Sequence, residues 1–372
     1  MTRRSIVAVI CLLGLVTPSQ ARAALVFNFT TGPELTALQG SNPALYNNVV
    51  IGFAAAGQRF SNLFSDNVTV QVTINFKTLG AGILGSADSN TIGVTYAGTR
   101  TALIADQTTA DDATATASLP NVAALSFLTN DRAGAVILDN DGSANNSVLD
   151  VNRANARALG LIGNGDTAED SSITFSSLFT WDFDPNNGIS AGAFDFVGVA
   201  THEIGHAMGF VSGVDTVDFF SGPNGPGRND DLNGGAAGIG TLDPFRVFSV
   251  LDLYRYGAPG VRNLAYGGAP YMSLNGGVTS LGAFSTGAFN GDGNQASHWK
   301  DNLSLGIMDP TAAPGELLAF STQDIRAFDV IGWNFAPSSS AVPEPASLTL
   351  VGLGFLAMAG YRIRHRKADS QR

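Results

Sequence analysis

Leu25 to Phe29 (LVFNF) reads as a first strand, and Val68 to Phe76 (VTVQVTINF) alternates strictly, which predicts a half-buried strand. Between them, Ala44 to Phe64 sets Val50, Phe53, Phe60 and Leu63 at helical spacing and predicts one long helix. Further strands are expected at Thr91 to Tyr96 and Ser172 to Trp181, with a short helix over Asn152 to Leu159. Another helix carries THEIGHAMGF, Thr201 to Phe210. Asp195 can cap its start, and Gly209 stands where a left-handed stop is easiest. Ser221 to Thr241 is rich in Gly, Asn and Asp and reads as a surface loop. SLNGGVTSL, Ser273 to Leu281, reads as a hairpin closed around Asn-Gly. Ser321 to Asp324 then caps a helix with Ile325, Phe328 and Ile331 on one face. There is no internal repeat. Strands, helix, more strands and the motif helix together predict a mixed α/β fold of the α+β kind.

The two ends follow different patterns from the body. Met1 to Ala23 has Arg3 and Arg4, the apolar stretch SIVAVICLLGLV and a small-residue exit at Ala21-Arg22-Ala23. This is the pattern of a signal peptide cut before Ala24, and the stretch is short for a membrane span. At the other end Val342-Pro343-Glu344-Pro345 leads into an apolar run, Ala346 to Tyr361, and a basic tail, RIRHRK. The run can cross a thinned bilayer, with the tail on the cytoplasmic side. This end resembles the PEP-CTERM sorting signal of exopolysaccharide-producing Gram-negative bacteria. The resemblance implies transient membrane contact, cleavage near Pro-Glu-Pro by a sorting protease, and release or attachment at the cell surface. A plain C-terminal anchor would also leave the body outside, so both ends agree on export.

The expected division is therefore a signal peptide at 1–23, a body at 24–336, and a linker with sorting tail at 337–372. The only cysteine, Cys11, lies in the signal peptide, so the body has no disulfide and no thiol chemistry. Burial, with or without bound metal, must stabilise it. A net charge of −11 with no basic patch outside the tail argues against a nucleic-acid partner. The 44 glycines point to many turns, while aromatic and β-branched residues throughout the body argue against disorder.

The candidate chemistry lies in the motif helix. His202 and His206 project from one side, about 5.4 Å apart along the axis, and two such imidazoles can share one zinc ion. Glu203 is rotated off the ligand line, where a carboxylate can take a proton from water and return it to a leaving amine. A zinc site of this type needs a third protein ligand. His365 lies in the tail beyond the sorting cut, which leaves His298 as the best nitrogen donor. Asp215 is a possible carboxylate instead.

HEIGHAMGF, then a long insertion, SHWKD and shortly afterwards GIMDP resemble the leishmanolysin branch of the metzincin zinc peptidases. In compact metzincins the third histidine falls at the position of Ser212, whereas in this branch it follows an insertion. The resemblance implies zinc ligands His202, His206 and His298, with Glu203 as base and Met308 in a methionine turn under the metal. It implies a two-lobed fold, with an N-terminal lobe over about 24–210 and an irregular C-terminal one over 211–336. It also implies a protein or peptide substrate in the cleft between them, with a specificity pocket walled by Met308 to Leu317. The chain departs from leishmanolysin in lacking its disulfides and cysteine latency, and no tyrosine closely follows the methionine turn. Trp299 can pack the loop or touch substrate. Structural calcium at Asp139-Asn140-Asp141-Gly142 or Arg228-Asn229-Asp230-Asp231 has no support from known loop spacing, and solvated turns are the stronger reading. An alternative of another class is a non-catalytic extracellular matrix protein that binds zinc or polysaccharide on the same fold.

Overall fold

The computed structural model describes residues 24–163, 165–227 and 242–336. The expected signal peptide and sorting tail lie outside them, as does 228–241 of the Gly-rich loop. In chain order the elements begin β1 Val26–Thr31, α1 Pro33–Ser41, α2 Pro43–Leu63, β2 Thr69–Lys77, β3 Gly85–Ser89, β4 Thr91–Thr95, α3 Tyr96–Ala105 and α4 Ala110–Ala117. Next come β5 Phe127–Asn130, β6 Val136–Asp139, α5 Ala144–Ser147, β7 Val148–Asn152, α6 Arg153–Ala158, β8 Ser171–Ser176, β9 Trp181–Asp182 and β10 Phe194–Asp195. The motif helix is α7 Phe196–Ala207, followed by α8 Val214–Phe220. After it the strands are short: β11 Arg255–Ala258, β12 Val261–Arg262, β13 Tyr271–Met272 and β14 Gly282–Ala283, before α9 Thr322–Val330. The fold is α+β.

The main sheet has the order β1-β2-β8-β3. Its first three strands are parallel and β3 is an antiparallel edge. Parallel neighbours need a long crossover, which α1 and α2 supply between β1 and β2. β2 is central, and its alternation becomes burial: Val70, Val72 and Ile74 are buried, while Thr69, Gln71 and Thr73 are half-buried.

Aromatic packing fixes the motif helix against this layer. Phe196, at the start of α7, lies 4.5 Å from Phe175 of β8 and 5.5 Å from Phe53 of α2, ring centre to ring centre. The terminal helix returns to the same core, with Phe328 at 5.4 Å from Phe60 and 5.9 Å from Phe210. One buried apolar cluster thus runs from Leu25 to Trp333 and holds α7 from several sides.

Two expected elements differ in detail. The strand expected over Ser172 to Trp181 ends at Ser176, because the chain turns and the Trp181 indole N–H donates back to the Ser176 carbonyl at 2.9 Å. Trp181 then pairs in parallel with Phe194 in a separate ribbon. The hairpin around Asn275-Gly276 exists, but its paired strands are Tyr271–Met272 and Gly282–Ala283, outside the expected range. Consecutive positive φ angles at Gly276 (71°) and Gly277 (86°), with the Asn275 side chain accepting from Thr279 N–H at 2.8 Å, make a broad loop in place of a two-residue turn.

Candidate metal centre

Local rules place α7 well. Asp195 caps it, one carboxylate oxygen accepting from Gly198 N–H at 2.8 Å and the other from Leu318 N–H at 3.1 Å. At the far end Gly209 has φ +112°, with Gly209 N–H on the His206 carbonyl and Phe210 N–H on that of Gly205, both at 3.0 Å. That is the paired bonding of a Schellman stop, and it needs the left-handed residue that glycine supplies. Side chains add to the carbonyls of the last turn: Asn152 donates its amide to His206 at 3.0 Å and the Trp333 indole donates to Met208 at 2.9 Å.

On this helix His202 and His206 face the same side, and His298 meets them from across the chain. The three Nε2 atoms stand 3.0 Å (His202 to His206), 3.1 Å (His202 to His298) and 3.1 Å (His206 to His298) apart. Each Nδ1 faces a carbonyl: His202 that of Ile307 at 2.7 Å, His206 that of Phe210 at 2.7 Å, His298 that of Gln295 at 3.2 Å. Carbonyls only accept, so Nδ1 carries the proton in each ring and Nε2 presents a lone pair. Three lone pairs aimed at one point repel unless a cation lies between them. Nitrogens about 3 Å apart suit one ion with bonds of about 2.0–2.1 Å, and the carbonyl partners are the usual orienters of such ligands.

The electrostatics agree with neutral rings. Burial lowers the pKa of all three; His206 falls to about 3, with His202 nearby as a further cause, and His298 falls well below its usual value with His206 and His202 adding. Glu203 is 6 % exposed, and burial raises its carboxyl to about 8. Its neighbour is the edge strand: a Cβ added at Gly85 of β3 would come within 2.6 Å of Glu203 Oε1. Glycine there is what leaves the carboxyl its room.

Met308 is fully buried under the helix, where a Cβ at Gly205 would meet its sulfur at 2.5 Å. The turn around it is held by a residue that sequence reasoning treated only as part of a cap. Asp324 accepts from Ile307 N–H at 2.8 Å, Met308 N–H at 3.3 Å, the Trp299 indole at 2.8 Å and Ser321 N–H at 2.7 Å. Ile307 in turn offers its carbonyl to His202. The Ser-Thr-Gln-Asp capping signature marked Asp324 as a helix start, but nothing local showed its reach to the turn.

Trp299 is completely buried, so it packs the loop. Asp215 does not join the imidazoles; its carboxylate accepts from Ala296 N–H at 2.6 Å and Ser297 N–H at 3.2 Å. Ser212 gives its hydroxyl to Asp252 at 2.5 Å. Of the expected pocket wall, Leu317 is 54 % exposed while Met308 is inaccessible. A second group of possible ligands, Asp139, Asp141 and Asp243, has carboxylate oxygens within 4.8 Å of one another; the Arg228 to Asp231 stretch lies outside the described residues.

Residues 341–367 match the PEP-CTERM protein-sorting motif, which implies recognition by a sorting system and export. A comparison with curated proteins finds no match, and neither does one with solved structures. Among the described residues no helix is long and apolar enough to cross a membrane, and the run Ala346 to Tyr361 lies outside them.

Proposed function

We propose that this chain is an exported zinc-dependent endopeptidase of metzincin type. The observation that carries the reading is the closed triangle of three Nε2 atoms, 3.0–3.1 Å on each side, from residues 202, 206 and 298, with the Glu203 carboxyl on the same helix. His202, His206 and His298 would hold the ion. Bound zinc supplies a Lewis acid for the scissile carbonyl and lowers the pKa of the attacking water.

The protein side of the reaction falls to Glu203. Its carboxyl is buried on the helix that carries His202 and His206, where, as a carboxylate, it would take a proton from water and deliver it to the departing amine. The Ile307, Phe210 and Gln295 carbonyls keep the three rings turned inward, so the ligands need little reorganisation. The sorting motif at the C-terminus accords with an extracellular protein or peptide as substrate.

The test is casein hydrolysis by the purified exported chain. Activity should disappear with a chelator and return with zinc, and Glu203→Ala should abolish it while keeping the metal. A fully metallated yet inert wild-type chain overturns the peptidase reading and leaves the matrix-binding alternative.

A further inference from the structure

The helix that follows the motif helix, α8, carries two carboxylates three residues apart, Asp215 and Asp218. Asp218 is 1 % exposed. Its two oxygens accept from Phe289 N–H and Asn290 N–H, both at 2.8 Å. The Asn290 amide adds bonds to the Asp218 carboxylate at 2.9 Å and to its carbonyl at 3.1 Å. Asp215 takes Ala296 N–H at 2.6 Å on one oxygen, and on the other Ser297 N–H at 3.2 Å together with the Ser297 hydroxyl. The same hydroxyl accepts from Ser212 N–H at 2.8 Å.

Both carboxylates grip one stretch of chain, and that stretch ends at His298. The loop also closes on itself around the first grip: Gly287 N–H donates to the Asn294 carbonyl at 3.0 Å, and Thr286 and Asp292 exchange bonds at 3.0 and 2.9 Å. A ligand delivered from far along the chain on a glycine-rich loop has to be ordered by something, and the body contains no cysteine to cross-link it. Charge-assisted bonds from a carboxylate to backbone N–H groups are among the stronger ways to do so.

We propose that Asp215 and Asp218 are positioning residues that clamp Phe289–Ser297 to α8 and thereby present His298 Nε2 to the metal. The clamp rests on the zinc reading above. It occupies the segment in which Ser212 has no ligating side chain, so the chain that lacks a local third ligand grips the imported one.

The test measures zinc affinity by chelator competition and the visible spectrum of the cobalt-substituted chain. It compares wild type with Asp218→Ala, Ser297→Ala and His298→Ala, and a urea titration of each metal-free chain runs alongside. Zinc binding should weaken about 10–100-fold in Asp218→Ala and Ser297→Ala, with the cobalt spectrum moving toward that of His298→Ala. Ser297→Ala removes a single hydroxyl and decides the matter if Asp218→Ala does not fold. Wild-type zinc affinity and an unchanged spectrum in these variants, whatever their urea midpoints, overturn the clamp and leave the metal site standing. A wild-type chain that takes up no zinc removes both.

Discussion

Ser212 N–H donates to the hydroxyl of Ser297 at 2.8 Å, so the position just past the motif helix touches the residue immediately before His298. The stretch between them leaves and returns to one spot, and that return brings His298 to the two histidines of the motif helix.

Metal content follows from that closure. Replacing His298 with alanine should lower zinc per chain as far as replacing His206, because each removes one corner of the same triangle. Asp215→Asn keeps all three ligands and loosens only the bonds that position His298, so it should weaken zinc binding but retain more zinc than either. Metal analysis after dialysis against a weak chelator measures this; a chain that keeps its zinc without His298 but loses it without Asp215 overturns the ligand set.

Asp324 should matter to stability as much as to the site. Its buried carboxylate collects N–H donors from Trp299, Ile307, Met308 and Ser321, and Asp324→Ala leaves all of them without that acceptor. Hydrogen bonds to a charged group are worth about 1.5–3 kcal/mol, so a loss of about 3 kcal/mol is expected. Urea unfolding monitored by tryptophan fluorescence reads it. A loss below about 1 kcal/mol would show that the turn around Met308 holds without this hub.

Local patterning foretold most of the scaffold. The helix expected over Ala44 to Phe64 is Pro43–Leu63, and the strand expected over Val68 to Phe76 is Thr69–Lys77, since alternation and helical spacing are set by the neighbours that a short stretch contains. Asp195 and Gly209 were readable for the same reason: caps are local chemistry. Long-range roles were not. A carboxylate that ligates a metal and one that accepts backbone N–H groups share one letter in the sequence, so only the fold, which sets Ala296 and Ser297 on Asp215, tells the two apart. Asp324 was legible only as a cap, and Gly85 carried no signal, because its importance lies in what a Cβ would strike on another element. Trp181 misled because strand-like composition continues through a turn.

The point where the body hands over to the linker should respond to pH. Asn334 donates its amide to Asp106 at 2.8 Å and its N–H to Asp66 at 3.1 Å, while Asp329 accepts from Thr109 at 2.7 Å. Burial raises Asp66 to about 6 and Asp106 and Asp329 to about 7; repulsion from Asp66 and Asp112 adds at Asp106, and from Asp112, Asp111 and Asp106 at Asp329. In the unfolded chain these carboxyls titrate near 4. Their folded values are higher, so the stability they contribute is complete below about pH 4 and is lost as pH rises through 6 and 7. The urea midpoint should fall over that range, and Asp106→Asn, which keeps an acceptor for Asn334, should fall less steeply. Parallel slopes for the two proteins would remove these groups as the cause.

Gly85 offers a way to displace the proposed base without touching the proposed metal ligands. It lies on the edge strand opposite Phe175, and a methyl there would come within 2.6 Å of Glu203 Oε1 and 3.0 Å of Glu203 Cδ and Cγ. The strand conformation is one alanine adopts freely, and the atom struck is the end of a flexible side chain, so the fold should survive and the carboxyl should swing aside. Gly85→Ala is then expected to bind zinc like wild type, since the three atoms nearest the new methyl all belong to Glu203, yet to lose activity about 100-fold, the order that a displaced general base costs. Zinc content and peptide hydrolysis measured on the same preparation separate the two effects. Full activity in Gly85→Ala would mean that Glu203 does not work from the place it occupies here, and joint loss of metal and activity would mean that β3 supports the imidazoles as well.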